Sequence, residues 1–153
     1  MSGISKEAWE DIESSLSCSY VDISFKFKGY LLQINRVRIS ESKTALMVWI
    51  DGKSHSVWGY AHLEFMKDHV TANEIESMPT IIPDVWKPVA RSNYKPKQIK
   101  AFEKINGKRW CKKEGIYDKT VFYASTFSKA SVLVRQFKKL DGLELITDEG
   151  AHL

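Results

Sequence analysis

Val21-Asp22-Ile23-Ser24-Phe25-Lys26-Phe27-Lys28 alternates apolar and polar side chains without a break. Successive side chains of a strand point to opposite faces. Val21, Ile23, Phe25 and Phe27 therefore share one face, and Asp22, Ser24, Lys26 and Lys28 the other. A strand with one wet face belongs in an antiparallel sheet packed on one side. Gly29 supplies a turn, and residues 30–39 read as a second strand. Its apolar phase changes between Ile34 and Val37, the mark of a bulge or a twist. Residues 40–43 are a polar turn. Residues 44–50 are apolar on both faces and should form the most buried strand. Asp51-Gly52 is a hairpin signal, so residues 55–60 are expected to return as a fourth strand.

Outward from this meander the period lengthens. Residues 5–16 read as an amphipathic helix: Ser5 can cap it, Glu7, Glu10 and Asp11 follow, and Trp9, Ile12 and Leu16 share a face. Residues 61–69 suit a helix, and Thr71-Ala72-Asn73-Glu74 has the spacing of a capping box before a short helix to Met78. Pro79, Pro83 and Pro88 make residues 79–94 mostly extended or loop. Pro96 suits the first position of a helix whose apolar stripe is Ile99, Phe102 and Ile105, with Gly107 to stop it. Residues 120–124 read as a strand. Ser125 or Ser128 is expected to cap a last helix with Phe127, Ala130, Leu133, Val134 and Phe137 inward. Asp141-Gly142 ends that helix, residues 143–146 form a short strand, and residues 147–153 an acidic tail. The expected fold is α+β: an N-terminal helix, a four-stranded antiparallel meander, then a helix-rich C-terminal part with two short strands. A chain of 153 residues suits one domain (residues 1–153), with a sub-domain seam near 79–94.

The formal net charge of +4 conceals an uneven distribution. Residues 87–139 hold fifteen Lys or Arg against three acids, a local net of +12, and the rest of the chain carries −8. A basic surface attracts polyanions and steers association. Lys97, Lys100, Lys104 and Lys108 recur every three to four residues and form a stripe opposite the apolar one. Arg109, Lys112 and Lys113 extend it, with Trp110 and Tyr117 interleaved. Such lysines can contact successive phosphates, and an aromatic can stack on an unpaired base. The bland reading is that any amphipathic helix needs a solvated face. Against it, this face has almost no acids. Nucleic acid and an acidic protein surface both fit.

Other chemistry is weaker. Asp51-Gly52-Lys53 has the D-x-K spacing of some metal-dependent nucleases, with Glu41 or Asp22 as the upstream acid. Asp-Gly between apolar strands is the commonest way to write a tight hairpin, which explains these residues without chemistry. His55, His62 and His69 recur every seven residues near Glu64 and Asp68, too far apart along a helix for one metal. No metal site is expected. Cys18 lies in a Ser-rich turn and Cys111 among Arg109, Lys112 and Lys113, which can depress a thiol pKa, but neither has a paired base. The two cysteines are expected free and reduced. There is no G-x-S-x-G, Walker loop or G-x-G-x-x-G, so no catalytic residue and no cofactor is expected. Trp49, Trp58 and Tyr60 flank the Asp51 turn, and Trp86 and Trp110 lie in or near loops. These aromatics are core, or interface anchors if exposed together. No apolar run approaches a membrane span, and the first residues lack the basic start and apolar stretch of a secretory signal, so a cytoplasmic protein is expected.

The order of segments resembles a group of small uncharacterised proteins encoded by bacteriophages and prophages. The resemblance rests on Ile4-Ser5-Lys6-Glu7-Ala8-Trp9 with Ile12-Glu13, and on Gly29-Tyr30 opening a strand that ends Arg36-Val37-Arg38. It continues in Trp86-Lys87-Pro88-Val89 with Tyr94 and Pro96, in Lys104-Ile105 with Gly107-Lys108-Arg109, and in residues 127–137 before Leu143-Glu144-Leu145-Ile146. It carries over no catalytic residues. It implies an accessory protein of the bacterial cytoplasm that binds and disables a host or defence protein or ribonucleoprotein, an anti-CRISPR-like role included. The acidic N-terminal part (Asp22, Glu41, Asp51, Glu64) would then mimic nucleic acid, or the basic stripe would cover an acidic patch. The alternative is direct nucleic-acid binding through Lys97, Lys100, Lys104, Lys108, Arg109 and Lys112.

Overall fold

The computed structural model describes residues 3–60 and 78–146. The helices expected at 61–69 and 71–78 lie outside the described residues, apart from Met78, which belongs to no regular element. The tail at 147–153 also lies outside them. The fold is α+β with a mostly antiparallel sheet. The chain divides into two compact units, the second being Pro88–Phe122. The first holds the described residues on either side of that segment.

In the first unit, helix α1 spans Lys6–Leu16. Ser5 caps it as expected, its Oγ accepting a hydrogen bond from the Ala8 amide at 3.1 Å. That bond satisfies one of the four amides a helix start leaves unpaired. Trp9, Ile12 and Leu16 are buried on one face, as a 3.6-residue period requires. Strands β1 (Asp22–Phe27), β2 (Tyr30–Arg38) and β3 (Thr44–Ile50) follow as an antiparallel meander. Lys28 and Gly29, both at positive φ, make the two-residue turn between β1 and β2. Four of the seven residues of β3 are buried, more than in β1 or β2, so the strand apolar on both faces is indeed the most covered.

The change of phase in β2 has a different cause from the one expected. Its register with β3 runs unbroken from Leu32–Ile50 to Arg38–Thr44, with no bulge. Arg36 simply takes the inward position after Leu32 and Ile34. Its guanidinium donates to the carbonyls of Leu16 and Cys18 and to Thr44 Oγ1. The Leu16 carbonyl is one of those a helix end leaves without a partner. A cation there also complements the negative end of the helix dipole.

The fourth strand of the expected meander does not form. Asp51 and Gly52 reverse the chain at positive φ, yet only Lys53 bridges back, to Ile50. Residues 56–59 form a 3₁₀ turn instead. The reason is competition for one edge. The place beside β3 is taken by β6 (Thr126–Phe127), which pairs Phe127 with Leu46 and Thr126 with Met47. The Val48 amide donates to the Ser125 carbonyl at 2.8 Å, continuing that edge. Trp58, freed from strand geometry, buries its ring 6.1 Å from that of Trp86. Gly59 permits the close approach: a Cβ there would lie 1.9 Å from the Tyr123 carbonyl oxygen.

The C-terminal third corrects further expectations. Residues 79–94 are mostly extended or loop, as expected, apart from one helical turn: α2 spans Ile82–Val85, with Pro83 in its first turn where a missing amide costs no bond, and β4 spans Lys87–Ser92. Beyond residue 94 the described residues hold three strands rather than two: β5 (Lys119–Ala124), β6 and β7 (Glu144–Ile146). The last helix begins late, as α5 (Ala130–Phe137), capped by neither Ser125 nor Ser128. Phe127 therefore packs from a strand, not from that helix. The sheet order is β6-β3-β2-β1-β7, with two sequence-distant segments closing the edges of the meander. Helices α1, α2 and α5 share one buried cluster with its inner face. Gln136 Nε2 ties α5 to α2 by donating to the carbonyls of Asp84 (2.9 Å) and Trp86 (2.7 Å).

Replacing Arg36 with Ala should lower stability by about 2 kcal/mol, the scale of lost charged hydrogen bonds and uncovered carbonyls. Arg36→Lys should recover only part, because an ammonium cannot span the same acceptors. Urea denaturation followed by far-ultraviolet circular dichroism reads both; an Arg36→Ala midpoint equal to wild type would remove this role.

Candidate nucleic-acid interface

The second unit is built on little core. Strands β4 and β5 pair as a two-stranded sheet. Helix α3 spans Pro96–Asn106 and helix α4 Lys108–Lys113. Proline opens α3, and the Gln98 side chain accepts from the Lys95 amide at 2.8 Å. Gly107, at φ 83, closes α3 and turns the chain into α4. Lys108 therefore starts a new helix and does not continue the α3 stripe. In this unit only Cys111 and Ile116 are fully buried, and no residue of α3 is. Tyr94 meets Phe102 edge-on with ring centroids 5.2 Å apart, and Phe102 meets Trp110 at 6.3 Å. This aromatic row holds α3 and α4 together.

The expected apolar stripe is shorter than predicted. Ile99 and Phe102 are half-buried, whereas Ile105 is 79% exposed. At about 100° per residue Ile105 lies roughly 120° round the helix from Ile99, so the small core cannot cover both. By the same arithmetic Lys97, Lys100 and Lys104 fall within roughly 60° of arc. All three are exposed, as are Lys108, Arg109, Lys112 and Lys113. Trp110 is 37% exposed. Pro88–Phe122 carries ten Lys or Arg against three acids, a net of +7. Of the acids, Glu103 is half-buried and accepts a hydrogen bond from the Tyr117 hydroxyl. Asp118 is folded against Gly115, which at φ 72 has no Cβ to obstruct its carboxylate. Sequence reasoning missed Arg91, whose guanidinium lies 5.1 Å from the centre of the Phe122 ring. It also missed the exposure of Ile105, which the 100° count alone would have shown.

The hydrogen bond to Glu103, followed by desolvation and the carboxylate's charge, pushes the Tyr117 hydroxyl up to about 12 from its ordinary 10. Cys111 is buried and Cys18 exposed, and neither is in a disulfide. Cys18 donates weakly to the Ser14 carbonyl.

The nuclease constellation does not assemble. Asp51 Oδ1 accepts from the Leu31 amide at 2.8 Å, and the Asp51 amide returns a bond to the Leu31 carbonyl, so its side chain serves the turn. Asp22 pairs with Asn35, four residues along β2 from Leu31, or about 13 Å. Glu41 follows Arg38, at about 23 Å along the same strand. Neither acid can share a cation with Asp51. Glu64, Asp68, His62 and His69 lie outside the described residues. Among the described residues no group of three or more His, Cys, Asp or Glu converges. The aromatics near the Asp51 turn do not form an exposed patch: Trp58 and Trp86 are buried, and half-buried Trp49 donates its indole N–H to Asn35. Among the described residues no helix is long and apolar enough to cross a membrane.

Comparison with protein-family models, curated proteins and solved structures finds no match to this chain.

Since Tyr117 keeps its proton in the folded state to about pH 12, its hydrogen bond contributes stability that is complete below pH 10 and is lost as pH rises towards 12. In an ultraviolet titration, the difference between wild type and Tyr117→Phe should show a phenol ionising near 12. In Glu103→Gln that ionisation should move back towards 10; no movement would break the assigned cause.

Proposed function

We propose that this protein acts by binding rather than by catalysis, and that the basic α3–α4 pair is the surface that engages a nucleic acid. One observation carries this reading. Lys97, Lys100, Lys104, Lys108, Arg109, Lys112 and Lys113 are all exposed on a small unit of net charge +7. Natural surfaces usually mix signs, because uncompensated like charges repel and weaken the compact state. Here one of the few acids is turned towards Tyr117. The rise along α3 separates Lys97, Lys100 and Lys104 by about 5 Å per step, a spacing that lets neighbouring ammonium groups meet neighbouring phosphates.

The resemblance to phage-encoded proteins supplies the setting, a protein that disables a host or defence ribonucleoprotein, and a nucleic-acid component of such a complex would be the target of this face. Mimicry by the acidic N-terminal part has less support, because Asp51 stands at the opposite end of the sheet from Asp22 and Glu41.

Fluorescence anisotropy with labelled single-stranded and duplex DNA and RNA tests the proposal. With about five phosphate contacts, affinity should fall about 100-fold for a single strand and about 500-fold for a duplex between 50 and 200 mM salt. The triple change Lys97→Glu, Lys100→Glu, Lys104→Glu should abolish binding while the circular dichroism spectrum stays unchanged, since all three side chains are exposed. Absence of binding at low salt would overturn the proposal and leave this face to an acidic protein partner, to be sought by pull-down from host lysate.

A further inference from the structure

We infer that the nucleic acid this unit takes is single-stranded, and that Trp110, among the cations of α4, stacks on one of its bases, with Ile105 as a second apolar contact. The inference rests on the nucleic-acid reading above and adds to it the type of strand. Its ground is the distribution of apolar exposure. Six large hydrophobic residues are exposed among the described residues, and four of them (Ile105, Trp110, Tyr117 and Val121) lie in the unit that carries the net charge of +7. Scattered exposed hydrophobics need no explanation, but their concentration in the most basic part of the molecule does. Charge alone would serve for phosphates.

Trp110 has the features a stacking platform needs. Its ring lies beside that of Phe102, at 6.3 Å and tilted 34°, and Phe102 in turn meets Tyr94 edge-on. More than a third of the residue remains exposed to a ligand. Arg109 precedes it, and Lys113 follows one turn later on α4, both exposed. Ile105, the most exposed of the four, follows directly after Lys104 of the α3 stripe.

A duplex cannot use such a platform. Its bases are already stacked on one another and present only edges in the grooves. A single strand offers the π-face of each base, together with a backbone that Arg109, Lys112 and Lys113 of α4 can meet, and stacking of this kind tolerates any sequence. One base–aromatic stack changes affinity by about tenfold or more.

The test compares three fluorescein-labelled ligands at one salt concentration: a 15-nucleotide single strand, an abasic strand of the same length and phosphate count, and a duplex. The single strand should bind about tenfold tighter than the abasic strand, and tighter than the duplex. Trp110→Ala should erase the difference between base-bearing and abasic strands, whereas Trp110→Phe should retain most of it. Because Trp110 also touches Phe102, Ile105→Ser provides a change that removes only an exposed side chain, and it should weaken the base-bearing strand selectively. The abasic comparison needs no variant at all. Equal affinity for base-bearing and abasic strands, with the salt dependence intact, would overturn stacking and leave the basic face as a phosphate binder. Preference for the duplex would also overturn it. Failure of all three ligands to bind would overturn the nucleic-acid reading itself.

Discussion

Phe25 of β1 is fully buried, stacked on Trp9 of α1 with ring centroids 6.0 Å apart and edge-on to Phe137 of α5 at 5.6 Å. Phe137 in turn stands perpendicular to Phe127 of β6. This chain of rings joins the first helix, the first strand and two elements from the end of the sequence across one sheet face. The remaining architecture of the first unit depends on it. With Phe127 drawn against the inner face, β6 occupies the edge of β3. With Leu145 opposite Phe25, β7 closes the edge of β1. The meander alone would present two open edges, each a row of unpaired amides and carbonyls that invites association. Burial of large apolar side chains thus also settles the hydrogen-bonding order of the sheet.

Arg36 works at the same surface by a different means. A strand position that should carry an apolar residue carries a guanidinium, and the position remains favourable because its acceptors are supplied by the end of α1. The cation replaces a buried side chain with hydrogen bonds that the helix end would otherwise lack. Helix and sheet are therefore joined twice, by apolar contact in the middle of α1 and by carbonyl capping at its end.

The second unit follows other priorities. Its helices are held by a short aromatic row and two buried residues, while the lysines and arginines of α3 and α4 are all exposed. Few buried contacts and many like charges make the unit easier to open than the sheet with its aromatic cluster. Surfaces that engage partners are commonly drawn from such elements. Both the lysine spacing and the limits of α3, between Pro96 and Gly107, were legible in the sequence, because a helical period and its start and stop signals are local properties. The exposure of Ile105 is implicit in the sequence too, since six residues along a helix place it roughly 120° from Ile99. The stop at Gly107 is local as well, but that the chain restarts at once as α4 and carries Lys108 off the stripe depends on the backbone at φ 83.

By itself the sequence determined the α1 cap and its buried face, the alternation of β1, the double-sided burial of β3 and both two-residue turns. Each depends on neighbours within a few positions, where backbone geometry leaves few choices. It determined as well the separation of charge along the chain, which needs no fold. Tertiary structure decided the fate of residues 55–60, the strand character of Thr126–Phe127 and the inward placement of Arg36. In each case two local conformations were acceptable, and the choice fell to a partner distant in sequence. Residues 55–60 had a turn ready to return them to β3, but a sheet edge accepts one strand; Phe127 and Thr126 hold it, and Trp58 is buried near Trp86 instead.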